Sequence, residues 1–405
     1  MNDELLLQTF IPRPQPLRIA LVTETYPPEI NGVAMTLGRQ VIDLQSRGHQ
    51  VQLIRPKQGI ADKATHNAQL EEVLKMGVPI PRYAGLKMGL PAKAALVRLW
   101  QLKRPDLVHI ATEGPLGWSA LAAAHKLRLP VSTDFHTNFH SYSKHYGAGW
   151  LRRPILAYLR KFHNKACVTL VPTEGMRQEL QTHGYRNLEV VSRGVDTMMF
   201  TPVRRDETLR ASWGVKPDTQ VVIYVGRIAP EKNLPLVFEA YAAMRVINPN
   251  SRLVIVGDGP ERAALQAQNP DAVFCGMRSG EDLARHYAAA DVFLFPSLTE
   301  TFGNVTTEAM ASGLAVVAYQ YAAAEALIRH GENGMVAPYN DAKKYIEAAV
   351  ELAREPARAK QIGGRAHQTA LSISWDSIHD RFERVLHAII DKEDCHGEIE
   401  LAVDG

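Results

Sequence analysis

Two doubly wound α/β domains are what this sequence predicts, on three observations. Apolar runs of strand length alternate with segments of helical period along the 405-residue chain, the pattern of parallel sheets covered by helices. Each half opens in the same way, with a strand, a polar glycine-containing loop and a helix. Between the halves lies VDTMMFTPVRRDETLR, a stretch with neither period, a proline and mixed charge, which places the boundary near Thr201. At about 150 residues per domain the length allows two or three domains, each able to bury a core.

In the first half the strands are expected at 17–24 (LRIALVTE), 50–56 (QVQLIRP), 106–112 (DLVHIAT), 130–136 (PVSTDFH), 167–173 (CVTLVPT) and 188–194 (LEVVSRG). The second half has QVVIYVGR (220–227), RLVIVGDG (252–259), AVFCGM (272–277), DVFLFPS (291–297), LAVVAY (314–319) and GMVAP (334–338). Helices fall between them. After Pro338 the period is helical to about Lys392, and Ser374 stands where an N-cap for the last helix belongs. The division expected is a flexible tail over 1–16, a domain over 17–200 completed by a C-terminal helix at about 374–392, a second domain over 201–373, and a frayed tail over 393–405.

Composition narrows the function classes. Hydrophobic residues make up 46% and charged residues 22%, a balance that excludes disordered, collagen-like and coiled-coil chains. No run of eighteen apolar residues occurs, and the residues before Leu17 lack a basic region followed by a long apolar core, so neither a membrane span nor a secretory signal is expected. Three cysteines, Cys167, Cys275 and Cys395, are too few for a disulfide framework or a zinc cluster, and a reducing cytosol follows as the expected compartment. Residues 1–200 carry 25 Lys/Arg against 15 Asp/Glu and the remainder 21 against 28. A half at +10 beside a half at −7 suggests that one domain meets something anionic, although an uneven solvated surface accounts for the split as well.

In doubly wound sheets ligands bind beyond the carboxyl ends of the strands, so the loops there carry the argument. Gly226-Arg227 ends one strand and IAPEKN follows, which puts Arg227 and Lys232 just ahead of a helix starting near Leu234. Two cations and a helix amino end then face one point, a site suited to a diphosphate. The run SLTETFGNVTTEAMASG places Glu300 on a loop and Glu308 about one turn into a helix opened by Gly303 or Asn304. On different elements, these carboxylates are not a hydrolase dyad sharing a proton; each has two acceptor oxygens able to hold vicinal hydroxyls of a ribose or pyranose. Asn31-Gly32-Val33 sits at the mouth of the first helix, where glycine lets backbone approach a phosphate, and a bare turn explains Gly32 almost as well. His136 ends a strand. His136 and His140, with His145 nearby, have the spacing of a helical zinc pair, but no His-Glu-x-x-His occurs, the segment begins as a strand and no cysteine is near.

With these motifs in order, GRIAPEKN (226–233), VGDGPER (256–262), the Glu300-to-Glu308 block around Phe302-Gly303, and GVDTMMFTP (194–202), the chain resembles the retaining glycosyltransferases of family 4, from Leu17 to about Ile390. The resemblance implies a GT-B fold: two Rossmann-like domains facing a central cleft, the first binding acceptor and the second the nucleotide sugar. It further implies that Arg227 and Lys232 clamp the diphosphate beside Gly226, that Glu308 binds the ribose, that Glu300 and His136 lie at the donor sugar, that backbone around Phe302, Gly303, Asn304 and Val305 touches that sugar, and that Met277 and Arg278 lie near the base. The Gly32 amide is a further contact, with Asn31 standing where the family commonly has glycine.

No Asp-x-Asp metal site occurs, so no metal or cofactor is expected and the two cations carry the leaving-group charge. Dehydrogenase and kinase readings lack their phosphate loops, and no nucleic-acid partner is expected. The expected activity is transfer of a hexose from a nucleoside diphosphate sugar, with retention implied by the resemblance. A non-catalytic two-lobed sugar-binding protein and a sugar-nucleotide epimerase are the alternatives. HTNFHSYSKHYG and TETYPPEINGVAMTL are similar to the branch that includes lipid mannosyltransferases and plant-type sulfolipid synthases. That likeness favours GDP-mannose and a lipid acceptor, with a UDP-sugar (glucose or sulfoquinovose) and a lipid or polysaccharide precursor as the competing pair. GWLRRPILAYLRKFHNKA interleaves Arg152, Arg153, Arg160, Lys161 and Lys165 with Trp150, Ile155, Leu156, Leu159 and Phe162. The pattern suits peripheral docking on an anionic membrane at its cytoplasmic face, or equally a helix packed on its own domain.

Overall fold

The computed structural model describes residues 15–391 apart from 30, 60, 80–86 and 137–148. Along the chain its strands are β1 (Arg18–Val22), β2 (Gln50–Pro56), β3 (Leu70–Lys75), β4 (Gly77–Pro79), β5 (Lys87–Gly89), β6 (Leu107–Ile110), β7 (Val131–Asp134), β8 (Val168–Val171) and β9 (Leu188–Val190). They continue with β10 (Gln220–Val225), β11 (Ser251–Val256), β12 (Val273–Gly276), β13 (Val292–Phe295), β14 (Ala315–Tyr319) and β15 (Met335–Ala337). One sheet has the order β3-β2-β1-β6-β7-β8-β9 and another β12-β11-β10-β13-β14-β15, while β4 and β5 pair separately. β1 pairs in parallel with β2 and β6, and β10 with β11 and β13. Each sheet therefore winds outward both ways from its opening strand, and the reversals at β1/β6 and β10/β13 are the positions where such sheets bind ligands.

By internal contacts the chain divides into a unit of Met1–Asp134, Lys165–Val168 and Glu383–Gly405 and a unit of Phe135–Asn164 and Thr169–Phe382. In the second unit all six residues of β10 are buried, as are all five of β14. Such unbroken apolar runs are what strands covered on both faces require. Every strand expected from sequence is present. β3, β4 and β5 were not expected; in β3, LEEVLK lies at the sheet edge and its charges broke the apolar run. Its Glu72 is buried against Arg55, 3.2 Å away, and Arg55 also grips Asp62 at 2.7 and 2.9 Å.

Helix starts follow local chemistry. Asn31 Oδ1 accepts from the Val33 and Ala34 amides at 3.1 and 2.8 Å and so caps the helix Gly32–Ser46. The helix Trp375–Ile390 begins where Ser374 Oγ accepts from the Ser377 amide at 3.4 Å. The helix Pro115–Lys126 has a bare Gly114 at its cap position, and the Glu24 carboxylate serves instead, accepting from the Leu116 amide at 3.0 Å. A Cβ on Gly114 would lie 2.0 Å from that carboxylate, so a larger residue would push the cap aside.

Below β10 and β13, at their amino ends, Arg210 is wholly buried and donates to the carbonyls of Ala289 and Thr219, both at 2.7 Å. Asp291 joins it, accepting from the Val221 amide at 2.8 Å, Arg205 at 3.1 Å and Arg210 at 3.4 Å. The helix Gly149–His163 turns Leu159 and Phe162 inward, and Ile155 and Leu156 pack on the cluster of Phe135, Val171, Leu180 and Tyr185. These four apolar residues thus serve the protein's own core. Arg153, Tyr158, Arg160 and Lys161 are exposed, while the side chains of Trp150 and Arg152 lie outside the described residues. No helix among the described residues is long and apolar enough to cross a membrane.

Candidate active site

The carboxyl ends of β10 and β13 carry the charged residues singled out by sequence. After β10, Gly226 has φ +153° and Gly257, after β11, has φ +137°. A Cβ on Gly257 would stand 1.9 Å from the Gly226 carbonyl oxygen, so the two loops touch backbone to backbone, which only glycine permits. Lys232 closes the 3-10 turn Pro230–Lys232, and the helix Leu234–Ile247 follows. Its ammonium meets Glu300 Oε1 at 2.5 Å, donates to the Thr299 carbonyl at 3.3 Å and lies 5.8 Å from the centre of the Phe295 ring. Arg227 lies apart from this pair; its guanidinium is exposed and 3.8 Å from Glu231. The two cations are on one loop, as expected, but Lys232 is half of an ion pair whereas Arg227 faces solvent.

Glu300 Oε1 also accepts from Ser297 Oγ at 2.8 Å, and its carbonyl accepts from Tyr321 Oη at 2.8 Å. Two residues on, Phe302 is buried and its carbonyl accepts from the Ala323 amide at 2.8 Å. Gly303 then turns the chain with φ +93° into the helix Asn304–Ala311. The Asn304 side-chain oxygen is buried and has no hydrogen-bond partner in the structure, an acceptor suited to a ligand hydroxyl. Glu308 lies in the second turn, and its Oε2 accepts from Tyr287 Oη at 3.0 Å. Burial pushes the Glu308 carboxyl up to about 7, against the opposing pull of the Tyr287 hydroxyl. Tyr287 is fully buried, edge-on to Phe200 and Phe293. Val305, half-buried, sits between Asn304 and Glu308. Glu300 and Glu308 have different partners on different elements, as their spacing required.

Met277 is exposed after β12, and Arg278 is drawn back onto its own neighbourhood, donating to the Cys275 carbonyl at 3.0 Å and to Asp282 at 3.1 Å. Gly32 opens its helix, where Asn31 takes two of the amides that a phosphate would use. His136 Nδ1 is 3.1 Å from Arg193 Nη2, and the His136 carbonyl accepts from Thr301 Oγ1 at 3.0 Å. Thr301 directly follows Glu300, so His136 is tied to the Glu300 loop within the second unit. His140 and His145, the other members of the zinc reading, lie outside the described residues. Sequence reasoning missed the supporting residues Ser297, Tyr287, Thr301 and Arg193. The signal available was Ser297 at the end of DVFLFPS; nothing in the sequence pairs Tyr287 with Glu308 or Arg193 with His136.

Two family models match the chain: Glycosyltransferase Family 4 over residues 30–198 and Glycosyl transferases group 1 over 219–355. The GDP-mannose-dependent alpha-mannosyltransferase of Corynebacterium glutamicum is 32% identical over 365 residues, 90% of this chain and 87% of that protein. The chain belongs to glycosyltransferase family 4. This family 4 glycosyltransferase is also 28% identical to the sulfoquinovosyl transferase SQD2 of Arabidopsis thaliana, over 89% of the chain and 71% of the relative. The alpha-monoglucosyldiacylglycerol synthase of Acholeplasma laidlawii is 26% identical over 84% and 89% of the two proteins. Among solved structures, sucrose-phosphate synthase from Thermosynechococcus elongatus matches with a TM-score of 0.75 at 19% identity, over 92% of this chain and 99% of that one. Anabaena HepE in complex with UDP and glucose matches at 0.70 and 19%, over 92% and 100%. The glycosyltransferase fold expected from sequence, GT-B with two doubly wound sheets, is the one the chain has.

Proposed function

We propose that this enzyme transfers a hexose, mannose from GDP-mannose, to a hydroxyl of a membrane lipid or glycolipid with retention of anomeric configuration. The observation that carries the reading is the Lys232–Glu300 pair, which brings the loops after β10 and β13 together at the switch point of the second sheet. A cation there meets a diphosphate and a carboxylate meets sugar hydroxyls, while Glu308 one helix turn further in offers its acceptor oxygens to a ribose. In the reaction, the acceptor oxygen bonds to the anomeric carbon as the bond from that carbon to the phosphate oxygen breaks. The acceptor's proton passes to the departing phosphate oxygen. Arg227 and Lys232 hold the charge that develops on the diphosphate. Met277 and Arg278 are assigned to the base, the Gly226 loop to the diphosphate, and Phe302, Gly303, Asn304 and Val305 to the donor sugar. Gly32 supplies an amide from the acceptor-side domain, which we assign to residues 17–200 with the helix at 374–392, leaving 201–373 for the donor.

The relatives support the donor and the acceptor class by what they are named for: GDP-mannose, and the diacylglycerol lipid of the glucosyl synthase. A UDP-sugar is the competing donor, favoured by the HepE complex. Thermal stabilisation of the pure protein by a panel of nucleotide sugars tests the choice. GDP-mannose should raise the melting temperature most, and a larger rise with UDP-glucose would transfer the assignment to the competitor. We further assign the acceptor to an anionic membrane surface reached through the exposed basic side of the helix Gly149–His163, which places the enzyme peripherally at the cytoplasmic face.

A further inference from the structure

We propose that Arg193 is a positioning residue that fixes the proton of the His136 imidazole on Nε2, making that nitrogen a hydrogen-bond donor and denying it the role of a base. Arg193 Nη2 lies 3.1 Å from His136 Nδ1. A guanidinium carries donors only and stays charged, so the imidazole nitrogen facing it accepts with its lone pair. Neutral imidazole has one acceptor and one donor nitrogen; with Nδ1 accepting, the proton belongs to Nε2.

Both partners are held in place. Arg193 is buried, with 8% of its surface exposed. Its chain neighbour Gly194 packs so closely on Trp375 that a Cβ there would lie 2.6 Å from the Trp375 Cα, and the next residue, Val195, donates its amide to the Ile373 carbonyl at 3.1 Å. On the other side, Thr301 Oγ1 holds the His136 carbonyl at 3.0 Å. The pair is thus set by backbone anchors 57 residues apart rather than by two mobile side chains finding each other.

The consequence for chemistry rests on the reading of His136 as standing beside the donor sugar. An Nε2–H donor holds a sugar oxygen; it takes no proton from the acceptor hydroxyl and does not attack the anomeric carbon. The proton of the acceptor then has the departing phosphate as its destination, in keeping with the single-step transfer above.

Nitrogen-15 spectra of the full-length protein labelled at histidine test the assignment, with the His136 signals identified by their loss in His136→Gln. The expected wild-type spectrum shows a lone-pair nitrogen at Nδ1 and a protonated one at Nε2. Arg193→Lys, which keeps a donor, should preserve it, and Arg193→Met should give a mixture of tautomers. In turnover, Arg193→Met should lower kcat about tenfold, the effect of one mispositioned hydrogen bond, with the KM for nucleotide sugar unchanged and Arg193→Lys recovering much of the loss. A wild-type proton on Nδ1 overturns the proposal whatever the kinetics. Should Arg193→Met fail to fold, the wild-type and Arg193→Lys spectra still decide. The expected tautomer together with unimpaired turnover in Arg193→Met and His136→Gln would uphold the pairing and remove His136 from the reaction.

Discussion

Glu308 ionises near pH 7 in the folded protein because burial disfavours its charge, against 4.5 for an ordinary glutamate. Between those values the folded chain keeps a proton that the unfolded chain has released. Its contribution to stability is therefore full below pH 4.5 and is lost as pH rises through 7, a fall of up to about 3 kcal/mol for a shift of this size. Glu308→Gln removes that loss. In urea unfolding at pH 8 the variant should be more stable than the wild type by about 1 to 3 kcal/mol, and no more stable at pH 4.5. The same variant should bind the nucleoside diphosphate more weakly, and a variant stabilised at pH 8 with undiminished affinity would take the ribose away from Glu308. Lys232 and Glu300 couple differently. Lys232→Ala should cut turnover about 10²- to 10³-fold, the effect of losing one preorganised charge stabiliser. Glu300→Ala frees the ammonium that it now neutralises, so it should tighten nucleoside diphosphate binding about threefold while lowering transfer. Calorimetry with the free diphosphate measures this, and weaker binding in Glu300→Ala would mean that the carboxylate, not the lysine, faces the nucleotide.

At the scale of elements, the strands covered on both faces were legible because burial wrote them as unbroken apolar runs; QVVIYV has no other reading in a chain with helices between such runs. β3 was illegible because its glutamates are satisfied by tertiary partners, Arg55 among them, that a one-dimensional pattern does not show. The site divides in the same way. Arg227, Lys232, Glu300 and His136 were legible as candidates because polar and charged side chains at strand ends stand out, whereas Tyr287 and Arg193 meet Glu308 and His136 from 21 and 57 positions away. The helix Gly149–His163 shows a third case: its amphipathic pattern was visible, but which face met the protein was not. With Ile155, Leu156 and Leu159 spent on Phe135 and Tyr185, the membrane contact proposed for the described part of this helix runs through Arg153, Lys161 and neighbouring charges and should be salt-sensitive. Arg160 is better left alone, since it donates to the His183 carbonyl at the end of the helix Glu174–Thr182. Changing Arg153, Lys161 and Lys165 together to Gln should reduce sedimentation with anionic vesicles about 10- to 100-fold, and salt should do the same to the wild type. Unchanged sedimentation of the folded variant would point to a soluble acceptor.

Taken as a whole, the molecule repeats one winding rule in two sheets, and its charge is divided +10 against −7 between residues 1–200 and the remainder, the asymmetry on which the proposed anionic surface would act. The second sheet is also fastened unequally along its length. At the carboxyl ends of β10 and β13 the loops that carry Lys232 and Glu300 meet through one backbone hydrogen bond, from the Leu298 amide to the Glu231 carbonyl at 3.2 Å, and through the Lys232 side chain, while at the amino ends buried Arg210 and Asp291 bind backbone at three points, the Ala289 and Thr219 carbonyls and the Val221 amide. Local opening should then be graded within single strands. The Val221 amide should exchange its hydrogen only in global unfolding, whereas amides of the loops beyond Val225 and Phe295 exchange through small fluctuations, and Arg210→Met should bring Val221 into the faster class. Such a gradient would let the end proposed to receive the donor rearrange around each sugar nucleotide without the two strands ever losing register.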